Sequence, residues 1–140
     1  MRSICLAFVF LVFNSPAFSA SELIMFNSSY CEWCELWEEE VGVVYDKTWE
    51  ARIVPIRRVD IHEPRPDGLK QIKPVIYTPT FVMIHNGLEV DRILGYPDEG
   101  HFWGLLDEMV KRLPTPLNGC LKKTKMAATG TDKRTGPNSC

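Results

Sequence analysis

Apolar positions along this 140-residue chain fall in short blocks of differing spacing, and that spacing separates strands from helices. Leu23-Ile24-Met25-Phe26 is an unbroken apolar run with no helical period, which predicts a central strand covered on both faces. From Trp33 to about Tyr45, Cys34, Trp37, Val41 and Val44 recur at helical spacing, while Glu38, Glu39 and Glu40 fall mostly on the opposite, solvated face. Cys34 thus heads a buried stripe, and Cys31 stands in front of the first turn. A second strand is expected over Ile53–Ile61, beginning near Val54; Pro55 cannot donate to a ladder, so this strand belongs at a sheet edge. His62 to Gly68, with Pro64 and Pro66, reads as a loop leading to a short helical turn near Leu69–Ile72. Thr80–Ile84 is again apolar and central, Asn86-Gly87 is a strong two-residue hairpin signal, and Leu88–Leu94 returns antiparallel at the other edge. Asp98 then caps a last helix with Phe102, Leu105, Leu106, Met109, Val110 and Leu113 in one stripe and Trp103 at its border. Lys111 and Arg112 suit the end of that helix, and Pro114 and Pro116 stop it. The order predicts an α/β fold, a four-stranded mixed sheet with flanking helices.

Composition changes this picture at both ends. Arg2, the apolar stretch Ile4–Phe13 and the small residues Ala17 and Ser19 make residues 1–20 a secretory signal peptide, cut after Ser19 or Ala20. An uncleaved membrane anchor is the alternative reading, but the apolar stretch is about half a bilayer span. Residues 21–116 then form one domain, and residues 117–140, rich in Lys, Thr, Gly, Ala and Ser, make a polar tail too poor in apolar residues to offset its ordering entropy. Loss of Arg2 takes the net charge from −2 to −3, which argues against a nucleic-acid partner. Of five cysteines, Cys5 leaves with the leader, and the remaining four suit an oxidising, periplasmic compartment.

Cys31-Glu32-Trp33-Cys34 carries the chemistry. Two sulfurs this close can close and reopen a small disulfide ring, and a strand before and a helix after put the first at a helix N-terminus, where the macrodipole favours a thiolate. Half a zinc site has the same spacing, as does an inert structural disulfide. Zinc would need a second pair of close ligands, whereas Cys120 and Cys140 are far apart and His62, His85 and His101 are scattered; no metal and no organic cofactor is expected. Cys120 and Cys140 are too widely spaced for a redox ring, and a second disulfide between them stays open.

With the element order in place, Leu23–Leu113 resembles the minimal thioredoxin-like fold. Tyr30-Cys31-Glu32-Trp33-Cys34 is similar to that family's redox motif, Tyr77-Thr78-Pro79-Thr80-Phe81 to its cis-proline segment, and Gly95 to the glycine after the last strand. The resemblance implies a protein dithiol–disulfide oxidoreductase with Cys31 and Cys34 catalytic and disulfide-bonded in turn. It also implies that Thr78 and Pro79 present backbone to a substrate strand, with Tyr30 and Trp33 in the substrate-binding surface. A trans Pro79 merely opening a strand is the alternative. Arg57-Arg58-Val59-Asp60, Arg92-Ile93-Leu94-Gly95-Tyr96-Pro97 and Phe102-Trp103-Gly104-Leu105-Leu106 further resemble the periplasmic thioredoxins of bacterial sulfur-oxidation clusters. That narrower likeness implies a role in maintaining or regulating a sulfur-oxidation system.

Departures from cytoplasmic thioredoxin bear on mechanism. Tyr30 stands for the usual tryptophan, Glu32-Trp33 for Gly-Pro, and Met25 for the buried acid that relays a proton to the inner thiol. The helix N-terminus favours a Cys31 thiolate by up to ~2 kcal/mol. Glu32 and Glu35 oppose it by ~1 kcal/mol each, so reductant and oxidant stay unranked. Two function classes remain. One is an exported oxidoreductase, a monomer acting on partner-protein thiols and recycled by a membrane dithiol carrier or reoxidase. The other is a redox-responsive regulatory binding module without turnover.

Overall fold

The computed structural model describes residues 21–114. The leader, Cys5, Cys120, Cys140, the tail and the last two residues of the expected domain lie outside them. The elements are β1 (Ser21–Asn27), α1 (Glu32–Trp37), a π-helical turn (Glu38–Gly42), α2 (Val43–Tyr45), α3 (Trp49–Ile53), β2 (Ile56–Asp60), a 3-10 turn (Asp67–Leu69), β3 (Thr80–His85), β4 (Leu88–Leu94) and α4 (Glu99–Lys111). Strand order is β2-β1-β3-β4, with β1 parallel to β2 and antiparallel to β3. Both expected edges are therefore in place, with Pro55 just outside β2, where its carbonyl accepts from Leu23 N–H at 3.0 Å. Asn86 and Gly87 take positive φ of 50° and 77°, as the tight turn between β3 and β4 requires.

Strand alternation sorts the core into two layers. Leu23 and Met25 of β1 with Phe81 and Met83 of β3 face the α1 and α4 side, packing with Trp37, Val41, Tyr45, Phe102, Leu106 and Val110. Ile24, Phe26, Val82 and Ile84 face the opposite side, under Val59, Leu69 and Ile72. Five aromatic rings knit the first layer: Trp37 meets Phe81 at 5.1 Å and Phe102 at 5.5 Å, and Tyr45 stacks on Trp103 at 5.9 Å.

Four local expectations are corrected. Val44 is exposed and Tyr45 is buried instead. The π turn spends more than 3.6 residues on one revolution, so the buried stripe after Val41 resumes one position later. Leu105 is likewise exposed, because it sits on the flank of a stripe centred on Phe102, Leu106, Met109 and Leu113. Ile53 ends α3 rather than beginning a strand: Thr48 caps that helix, its Oγ1 accepting from Ala51 N–H at 3.3 Å, and the strand starts at Ile56. The turn expected at Leu69–Ile72 lies earlier, at Asp67–Leu69, where Pro66 leads in.

Candidate active site

β1 delivers the chain to one end of the sheet, and the short loop Ser28–Tyr30 turns it into α1. Cys31 is the N-cap, with extended backbone (φ −109°, ψ 95°), and its Sγ accepts from Cys34 N–H at 3.1 Å. Its carbonyl accepts from Cys34 and Glu35 N–H at 2.9 and 3.1 Å, and its own N–H donates to Ser28 O at 3.2 Å. The first sulfur thus lies against the free amides of a helix start, the position that favours a thiolate on reduction. Cys31 and Cys34 are disulfide-bonded, with Cα atoms 5.2 Å apart. In this oxidised form Cys31, in front of the helix, is nearly as buried as Cys34 at the head of its inner stripe, at 7% and 5% exposed. A ring this small folds both sulfurs beneath one surface.

The second component arrives through strand register. Phe26 pairs with Thr80 and Thr80 with Leu94, so the end of β1, the start of β3 and the end of β4 share one end of the sheet. There Thr78–Pro79 is a cis peptide, Gly95 N–H donates to Pro79 O at 2.8 Å, and Thr80 Oγ1 donates to Tyr77 O at 2.7 Å. Gly95 itself has φ of 78°, a conformation a side chain would resist. Pro79 is buried and Thr78 half-buried.

Around this end the structure leaves large apolar side chains in solvent. Tyr30 is 94% exposed and Trp33 56%, both flanking the disulfide; Ile76 and Tyr77, just before Thr78, are 75% and 66% exposed. Single exposed apolar residues are ordinary, whereas these four adjoin the disulfide and the cis-peptide segment. Ile76 escaped the sequence reading, although two bulky apolar residues before Thr-Pro, outside any periodic element, were the signal available. Glu32 and Glu35 add negative charge beside Trp33.

Beneath the site, Met25 is fully buried, so no carboxylate of β1 faces the inner sulfur. Arg58 of β2 holds Glu38 through Nε and Nη2 at 2.5 and 2.8 Å and lies 5.7 Å over the Trp37 ring. A Cβ at Gly42 would meet the Glu38 carboxylate, so a larger residue there would make that side chain shift. Tyr96, after Gly95, donates its hydroxyl to Glu40 at 2.5 Å; burial first, then that carboxylate, push its phenol well above the ordinary range. Tyr45 OH donates to Val54 O at 2.8 Å, and burial likewise keeps it protonated. Beside the entry loop, Ser28 Oγ lies 3.3 Å from His62 Nε2. Among the described residues no group of three His, Cys, Asp or Glu is placed to hold a metal ion.

No family model matches the chain, and no curated protein matches it. Among solved structures it is similar to the reduced periplasmic thioredoxin SoxS of Paracoccus pantotrophus, at 35% identity over 67% of this chain and 99% of that one, with a TM-score of 0.64. Fasciola hepatica thioredoxin is 25% identical over 65% of this chain and 82% of its own, with a TM-score of 0.50. Malassezia sympodialis thioredoxin, 23% identical over 65% and 78% with a TM-score of 0.50, bears on the fold alone.

Proposed function

This chain belongs to the thioredoxin-like family and is a thiol–disulfide oxidoreductase, and from that premise we propose that Cys31 and Cys34 are its working pair, serving a few exported partner proteins. The observation that carries the reading is the Cys31–Cys34 disulfide at a helix N-cap, rimmed by exposed Tyr30, Trp33, Ile76 and Tyr77. In the reducing direction the Cys31 thiolate attacks one sulfur of a partner disulfide. A Cys31–partner bond forms, and the partner's other sulfur leaves as a thiolate that takes a proton from water. Cys34 then loses its proton and attacks Cys31 Sγ. The Cys31–Cys34 bond forms, the mixed disulfide breaks, and the second partner sulfur leaves. Two electrons pass to the partner; the oxidising direction runs the same steps backwards.

Thr78 and Pro79 lend backbone to the incoming strand, while Tyr30, Trp33 and the neighbouring pair Ile76 and Tyr77 cover its apolar side chains. Neither direction needs a metal or organic cofactor. Reduction draws electrons from a membrane dithiol carrier, and oxidation passes them to a membrane reoxidase. The leader-like residues 1–20 and the similarity to a periplasmic thioredoxin support work in the periplasm on a sulfur-oxidation system, as a monomer. The test is trapping: Cys34→Ser accumulates a mixed disulfide through Cys31, and Cys31→Ser accumulates little, read by non-reducing electrophoresis and mass spectrometry. Equal trapping by both variants overturns the roles, and trapping by neither, with partner binding retained, replaces turnover by a regulatory binding module.

A further inference from the structure

A partner strand docked as proposed above lies between two walls that come from different parts of the chain. One is the N-cap and first turn of α1, with Cys31 and Cys34; the other is the cis-Pro79 segment that opens β3. Apolar packing joins them, with Trp37 on Phe81 at 5.1 Å. Such packing resists separation but is largely non-directional, so it sets poorly how far one wall slides along the other. A chain of polar contacts is directional. Gly95 N–H donates to Pro79 O at 2.8 Å, and the next residue, Tyr96, turns inward, 4% exposed and edge-on to Phe102 at 6.2 Å. Its hydroxyl donates to Glu40 Oε2 at 2.5 Å, and Glu40 belongs to the π turn that continues α1 without a break. Glu40 is an exposed residue whose carboxylate nevertheless reaches a buried phenol. The path Pro79–Gly95–Tyr96–Glu40 thus ties the docking segment to the helix that carries both sulfurs.

We propose that Tyr96, through Glu40, is a positioning residue for disulfide exchange, fixing the cis-Pro79 segment against the Cys31–Cys34 helix so that a docked partner disulfide lies in line with the sulfurs. Exchange depends on that alignment, and a small misplacement of one wall is costly in rate. The bond suits the task. A phenol donating to a carboxylate is of the charge-assisted class, shorter and stronger than a neutral pair. Burial, then Glu40, then Glu99 and Asp98 at the start of α4 keep the phenol protonated and therefore a donor. The effect is specific to substrates that lie along Thr78 and Pro79. A small aromatic disulfide needs a reachable thiolate and no docking segment.

The inference rests on Cys31 and Cys34 as the working pair and on docking along Pro79, so its test carries a check on both. In the full chain, insulin reduction with dithiothreitol as electron source is compared with reduction of dithiobis(nitrobenzoate) by the pre-reduced protein. Tyr96→Phe keeps the ring on Phe102 and removes only the hydroxyl. It is expected to lower kcat/KM for insulin about tenfold and to keep the small-disulfide rate within about twofold. Glu40→Ala is expected to give the same split, and the double variant to be no worse than either single one, because both substitutions break one bond. Glu39→Gln, which removes a neighbouring charge at an exposed position, is expected to leave both rates in place. An unmoved insulin rate in Tyr96→Phe, an equal loss on both substrates, or additive losses in the double variant overturns the proposal. Should Tyr96→Phe fail to fold, Glu40→Ala decides on the same two rates. An unsubstituted chain that reduces the small disulfide but not insulin overturns the docking reading, and the proposal with it.

Discussion

At the scale of single residues, what could be read early was what spacing encodes. Two cysteines separated by two residues ahead of a helical stripe must bring their sulfurs together, and the structure closes that ring. Accessibility is a different quantity. It depends on ring closure and on which neighbours crowd the loop, so the similar burial of Cys31 and Cys34 was not legible. Trp33 offers a test that separates binding from folding. Because more than half its surface is in solvent, at 56% exposure, Trp33→Ala should change stability by less than about 0.5 kcal/mol. If it covers an apolar side chain of the partner, the same truncation raises the partner's KM about tenfold, as loss of an interface aromatic does, with kcat nearly unchanged. Steady-state disulfide exchange against a protein substrate checks this; a fall in kcat alone would remove Trp33 from the docking surface.

At the scale of elements, β1, β3, β4 and α4 were legible because each is long enough to show its period or is bounded by strong chemistry, Asn86-Gly87 and Asp98 above all. The five-residue α3 spans too little chain for a period to register, and the π turn at Glu38–Gly42 breaks the helical spacing that was read from Cys34 to Val44. β4 also steers the site. Glu89 accepts from Lys73 N–H at 3.2 Å and pairs with Arg92, whose guanidinium reaches the carbonyls of Pro74 and Lys73 at 3.2 and 3.4 Å. This brace fixes the segment that runs into Ile76–Pro79. The Arg92 hydrogen bond, outweighing burial, holds the Glu89 carboxyl below its ordinary 4.5. For an acid shifted down, the stability it contributes is complete above its unfolded pKa and disappears as pH falls through the lower folded value. Glu89→Gln should therefore cost about 1 kcal/mol at neutral pH and progressively less below pH ~4, with hydrogen exchange rising at residues 73–79. A cost that stays constant with pH would show that the charge plays no part.

At the scale of the whole molecule, the two apolar layers are complete within the described residues. The α1 and α4 layer closes at Leu113, the last buried position of the stripe, and the opposite layer closes between Val59 and Ile84. Every group proposed for the chemistry, from Tyr30 to Pro79, belongs to or adjoins one end of this sheet. A catalyst of this kind needs its core, its sulfurs and its docking rim, and all three lie before Pro114. Residues 117–140, with Cys120 and Cys140, are therefore expected to be dispensable for exchange. Truncation after Pro116 should leave the rate of insulin reduction within about twofold and the urea midpoint unchanged, since no buried apolar area described here is lost with it. The comparison needs both readouts. A lowered midpoint would mean the removed segment covers part of the core, whereas lost exchange at an unchanged midpoint would place Cys120 or Cys140 in the electron path and make the working unit more than one disulfide.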